Sequence, residues 1–313
     1  MISRRHLRVK VMQSLYSFFS INSEEIDSIE KKMVKSIEES SKIQVLLCSL
    51  LVSIHNYASD FFKDSKKSQI KSNSKFDSIN KFLNNKFILL LKRNTILMKK
   101  IDRSSVIWKK SDLDIVRKIF VEIINSTQYD SYINNYQDDF DQDKNFIQII
   151  LNDFILDNNI FHHILEEKSI FFIDDLPFVS IFLKSQIYDS TDEKGFNFIS
   201  NVFKSNDDKK FALKLFRETI LKADEFEKII DFEVKNWEVD RISKIDLLMI
   251  KMALVEIVMF PEMPISVTFN EYIEISKYYS TKKSKVFING VLDKVVSRFK
   301  KENRFSKTGK GLL

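Results

Sequence analysis

The chain has 313 residues, 44% apolar and 30% charged, with Lys and Arg outnumbering Asp and Glu by 50 to 44, which supports a sizeable core in one large domain or two ordinary ones. Its only glycines are Gly195, Gly290, Gly309 and Gly311, so neither the dinucleotide fingerprint G-x-G-x-x-G nor the phosphate loop G-x-x-x-x-G-K-[ST] can be written. The lone Cys48 excludes an intramolecular disulfide and a multi-cysteine zinc site and fits a reducing compartment. His162 and His163, being adjacent, point about 100° apart on a helix and cannot share a metal as an i, i+4 pair does.

In chain order, Arg4 and Arg5 ahead of the apolar stretch Val11 to Ile21 imitate a secretory signal. Gln13, Ser14 and Tyr16 interrupt that stretch, while Leu7, Val11, Leu15 and Phe18 recur at helical spacing, so an amphipathic helix is predicted over 4–20. Asn22 with Glu25 reads as a capping pair opening a second helix, striped by Ile26, Ile29, Met33 and Ile37. Ser41 is expected to start a third, burying Leu46, Leu47, Leu50, Ile54, Ala58 and Phe61. The greasy run Ile43 to Ile54 falls short of the roughly 20 residues a bilayer span needs and contains Gln44, Ser49 and Ser53. No membrane segment and a cytoplasmic location are therefore expected.

Residues 63–75 read as a polar, basic loop, and helices are predicted near 77–92, 111–126, 143–165 and 176–188, with 93–110 irregular. The stretch 189–208, with Gly195 and two acidic clusters, is the expected boundary. Residues 209–236 read as two helices or one kinked helix. Ser243 and Asp246 precede a strongly apolar helix, Leu247 to Phe260, closed by Pro261 and Pro264. Thr268 and Glu271 have capping-box spacing ahead of Tyr272 to Tyr279, and a last helix runs from about Ser284 to Lys301. Asn289-Gly290 would ordinarily signal a hairpin. With no alternating strands beside it, the pair is placed inside that helix.

Charge is concentrated at the ends: residues 1–10 carry +4, residues 298–313 carry +5, and the remainder sums to −3. Potential attractive to phosphate is thus expected at the termini.

The C-terminal text WEVDRI (237–242), Ile245-Asp246, MALVEI (252–257), Pro264, VTFNEYIEISK (267–277), Ser284 and FINGVLD (287–293), with RRHLR (4–8) and QSLY (13–16) at the other end, resembles the NusB family of bacterial transcription antitermination factors. His6, Ser280 and Lys283 depart from the family pattern. The resemblance implies an all-α fold: a NusB-like helical bundle with a large helical insertion. Its first helices would occupy 1–39, the insertion 40–207 and the C-terminal helical domain 208–303, with 304–313 a disordered basic tail. It further implies a protein that catalyses nothing, needs no cofactor and pairs with the small-subunit ribosomal protein NusE. Together they would hold the boxA segment of nascent ribosomal RNA within the RNA polymerase antitermination complex.

Carried over residue by residue, the resemblance nominates Arg4, Arg5, Arg8, Lys285, Phe287 and Asn289 for RNA contact. Tyr16 and Asp246 are nominated for the NusE side, and Glu256 for a structural role. The chemistry is apt: guanidinium forks suit phosphates and base edges, and an aromatic ring can stack an unpaired base. Two other classes are compatible with parts of the pattern. A helical scaffold in ribosome assembly would keep the fold with a changed partner. An RNA methyltransferase with a NusB-like domain would require a glycine-rich cofactor site that this chain lacks.

Overall fold

In the computed structural model, which describes residues 2–312 apart from 22–23, 68–78, 105–107, 109–111, 136–138, 199–200 and 235–242, every regular element is helical. Among the described residues, extended pairing is confined to one isolated bridge, Thr191 with Gly195. The expected Asn22 cap, most of the basic loop and the WEVDRI stretch lie outside the described residues. The chain divides into two compact units, one formed by Glu38–Val202, the other by Ile2–Ile37 together with the chain from Phe203 onward.

The discontinuous unit contains α1 (Arg4–Ser20), the start of α2 (Ile26–Lys67), α11 (Asn206–Leu221), α12 (Ala223–Glu233), α13 (Lys244–Met259), α14 (Ile265–Tyr279) and α15 (Ser284–Lys301). Its centre is α13. From Leu248 to Ile257 every side chain of α13 is buried, as expected of a helix that is apolar all round, and it packs against α1, α11, α12, α14 and α15. The Ser243 hydroxyl caps it by accepting from the Asp246 amide at 3.1 Å.

Two local expectations fail in this unit. Thr268 and Glu271 do not open a helix, because α14 starts at Ile265 after Pro264. Both side chains are engaged across helices instead, Thr268 donating to Glu256 at 2.9 Å and Glu271 accepting from Arg5. Residues 304–312 are also not the disordered tail expected. The Lys307 ammonium donates to the Phe260 carbonyl and the Thr308 amide to the Pro261 carbonyl, both at 3.1 Å. Gly311 then lies so close to Pro261 that a Cβ there would come within 2.0 Å of its carbonyl oxygen. A glycine is what permits this approach.

The continuous unit holds the rest of α2 with α3 (Ile79–Leu83), α4 (Lys86–Arg93), α5 (Thr95–Arg103), α6 (Leu113–Ile124), α7 (Thr127–Ile133), α8 (Phe140–Ile149), a π-helical turn (Ile150–Leu156), α9 (Asn159–Lys168) and α10 (Phe172–Asp189). The second and third helices expected from the sequence are one. Ser36 and Ser41 donate back to the carbonyls of Met33 and Glu38 at 2.8 Å, and Ser40 donates to Asp175 at 2.5 Å, so these serines are satisfied inside the helix rather than capping a new one. Conversely, asparagines break the predicted 77–92 and 143–165 helices. Asn85 and Asn158 cap α4 and α9, and Asn94 opens α5 within the stretch expected to be irregular.

Continuous as it is, Ile26–Asp64 is long and apolar enough by composition to cross a bilayer. Its Leu46, Leu47, Leu50, Leu51 and Ile54 are, however, buried in this unit's own core. Cys48 is enclosed there too, and burial pushes its thiol up to about 12, which makes it a packing residue rather than a reactive one. Around Phe146 the aromatic groups cluster: Tyr132 stacks on it at 4.0 Å, with Phe82 and Tyr129 at 6.1 Å. The Tyr132 hydroxyl donates to Asp143 at 2.6 Å, and burial followed by that hydrogen bond raises its pKa well above the usual value.

Candidate nucleic-acid interface

The arginines of α1 emerge from a capped helix start, where the Ser3 hydroxyl accepts from the His6 amide at 3.2 Å. Helix N-termini disfavour cations, and the structure shows what offsets that here: each arginine faces a carboxylate from a distant helix. Arg4 donates to Asp208 on α11 at 3.0 Å with its guanidinium 5.4 Å from the Phe211 ring centre. Arg5 forms a fork with Glu271 on α14, both bonds 2.9 Å. Glu271 holds the Arg5 pKa above its ordinary value, first through that hydrogen bond. Arg4 and Arg5 stay partly open, their side chains 47% and 39% exposed.

Arg8 has a different setting from the one expected of an RNA contact. Only 2% exposed, it donates to both oxygens of Glu256 at 2.8 and 2.6 Å. Glu256 also accepts from Thr268 at 2.9 Å and Tyr272 at 3.4 Å. Burial opposes the Arg8 charge, yet the Glu256 hydrogen bonds and carboxylate charge more than offset it, so its pKa lies above the ordinary value. The same pocket raises the Tyr272 phenol well above its usual range, burial first and the Glu256 charge second. This cluster joins α1, α13 and α14, and its chemistry is structural, as expected of Glu256.

Asp246 departs in the same way. It is 5% exposed and accepts from the Ser284 hydroxyl at 2.7 Å, tying α13 to the first residue of α15, which is not the setting of a partner-facing group. Tyr16, 44% exposed on α1, does present its ring to the outside.

The remaining nominees lie on α15. Lys285 is exposed, Phe287 and Asn289 half-buried, and the Asn289 amide donates to Asp293 at 3.0 Å. Gly290 sits within the helix, as the absence of flanking strands implied. Sequence reasoning passed over Lys282 and noted Lys283 only as a departure from the family pattern; both are exposed just before α15. The signal was the run KKSK ending at Lys285. None of these three lysines makes an ion pair with a described residue, in contrast to the arginines of α1.

Among the described residues no three His, Cys, Asp or Glu side chains gather as metal ligands. The class thus defined is an all-helical protein with partly neutralised arginines on one helix and open lysines beside a half-buried phenylalanine on another. The family model described as "NusB family" matches residues 179–297. Among curated relatives, each described as "Transcription antitermination protein NusB", that of Salinibacter ruber is 43% identical over 103 residues, 33% of this chain and 64% of that protein. That of Chloroherpeton thalassium is 34% identical over 105 residues, 34% and 50% of the respective chains. That of Finegoldia magna is 40% identical over 95 residues, 29% and 68%. The chain thus spans between half and about two thirds of the length of these relatives. No solved structure matches it. The chain belongs to the NusB family, with an additional helical region that ordinary sequence likeness to the family does not cover.

Proposed function

We propose that this protein is a cytoplasmic RNA-binding transcription antitermination factor that acts by binding rather than catalysis. With NusE it holds boxA of nascent ribosomal RNA in the RNA polymerase antitermination complex. The observation that carries this reading is the 43% identity with a transcription antitermination protein over 103 residues. Supporting it locally are the open lysines 282, 283 and 285 next to Phe287. Positive charge with no ion-pair partner among the described residues is available to phosphates, and a half-buried ring can offer one face to a base.

In this reading Lys282, Lys283, Lys285 and Phe287 make the principal contacts, with Asn289 beside them. Arg4 and Arg5 contribute by exchanging Asp208 and Glu271 for phosphate oxygens. Arg8 and Asp246 hold the helices that carry these groups, and Tyr16 faces NusE. The insertion, which has a core of its own, supports a second reading as a ribosome-assembly scaffold with another partner. Filter binding of boxA RNA with and without NusE separates the two.

Lysines that neutralise phosphates and a ring that stacks a base leave different signatures. Replacing Lys282, Lys283 and Lys285 by Ala is expected to flatten the log-log salt dependence of affinity by roughly 0.7 for each phosphate no longer neutralised. Phe287→Ala is expected to leave that slope unchanged and to cost about 1–3 kcal/mol of binding. If Phe287→Ala lowers the melting temperature but not the affinity, the ring belongs to the core and the stacking assignment fails.

A further inference from the structure

The docked C-terminal segment forms one wall of a groove of about 1090 Å³ in the discontinuous unit, separate from the α15 surface. Its floor is apolar: Phe211, Met259, Phe260, Met263 and Val267. Its edges carry four cations, Arg4, Lys210, Lys214 and Lys310, against two acids, Asp207 and Glu262. The wall is fixed, because the Thr308 amide is held by Pro261 and Gly311 fits against Pro261 only as glycine.

We propose that this groove is a docking site for an acidic peptide segment of a partner protein, which seats an apolar side chain on the floor and its carboxylates on the lysines. Two observations favour peptide over nucleic acid. The lining is predominantly apolar, which suits an aliphatic or aromatic anchor. The aromatic faces that a base would need are already covered by cations. The guanidinium carbons of Arg4 and Arg8 lie 5.4 and 5.2 Å from the Phe211 centroid, and the Lys214 ammonium lies 4.9 Å over Phe260. Two of the rim cations are partly engaged, Arg4 by Asp208 and Lys214 by the Met259 carbonyl. Lys210, Lys214 and Lys310 are nonetheless all exposed, and although Lys210 lies 4.0 Å from Asp207, the positive charge left over at Lys214 and Lys310 favours an acidic ligand. The inference does not depend on the RNA reading, and the two fail separately.

The test pans a phage-displayed random peptide library on the full chain and measures enriched peptides by fluorescence anisotropy. Peptides combining Asp or Glu with Leu or Phe are expected. Lys210→Glu with Lys214→Glu, or Val267→Asp, should weaken them by roughly tenfold or more, while boxA affinity and the thermal midpoint stay at the parent value. Lys210, Lys214 and Val267 are exposed, and the thermal midpoint checks that loss of the Lys214 bond to the Met259 carbonyl leaves the fold intact. Failure to enrich any peptide, enrichment without acidic residues, or affinity indifferent to all three substitutions overturns the proposal. So does oligouridylate binding that the lysine reversals abolish, which would assign the groove to RNA.

Discussion

Glu256→Ala is expected to destabilise the discontinuous unit by about 3–5 kcal/mol, because it strands the Arg8 guanidinium in a site only 2% exposed. Arg8 retains Glu271 at 3.5 Å, a longer approach that does not replace the two bonds of 2.8 and 2.6 Å to Glu256. Tyr272 loses its acceptor in the same step and Thr268 falls back on the Pro264 carbonyl at 3.4 Å, adding poorly satisfied buried hydroxyls. Because a buried ion pair yields little net stability over a well-packed apolar pair, the double change Arg8→Met with Glu256→Leu should recover much of the loss. Urea unfolding followed by circular dichroism measures both. A single-mutant loss below about 1 kcal/mol, the scale of exposed pairs, would show that water reaches the cluster.

In the continuous unit the largest effect is expected from Phe146→Ala, at about 3–5 kcal/mol, the usual range for an aromatic ring removed from a core. Phe146 is 2% exposed and carries the stacked Tyr132 ring, which in turn positions the hydroxyl that donates to Asp143. Its loss therefore opens a cavity and loosens a buried polar network together. Phe146→Leu fills part of that volume and should cost visibly less. Equal losses for Ala and Leu would indicate that ring geometry, not volume, holds the site.

Local signals made part of this legible from sequence. Leu7, Val11 and Leu15 recur at helical spacing, and Ser243 caps α13, so the helices at both ends follow from short-range patterning. Ser41 misled because a hydroxyl that can cap a helix can equally bond back within one, as it does to the Glu38 carbonyl, while the neighbouring Ser40 finds Asp175, 135 residues away. The arginines are the main case at the candidate site. Their charge and spacing are visible in a few letters, but their partners lie 204, 266 and 248 residues away at Asp208, Glu271 and Glu256. Whether an arginine is open to phosphate is decided by those acids. Lys282 and Lys283 were visible as a run, yet nothing local told them apart from any other solvated lysines.

The division of one unit into two sequence segments also has a consequence during synthesis. Arg8 leaves the ribosome 248 residues before Glu256, which at about 5–20 residues per second is a delay of roughly 12–50 s. Throughout that interval Leu7, Val11 and Leu15, all at most 1% exposed in the finished fold, have no α13 to cover them. The intervening unit is complete before α11 emerges and can form its own core during the wait. Nascent chains halted before α13 should thus be recognised by chaperones through α1, whereas chains halted after α15 should not.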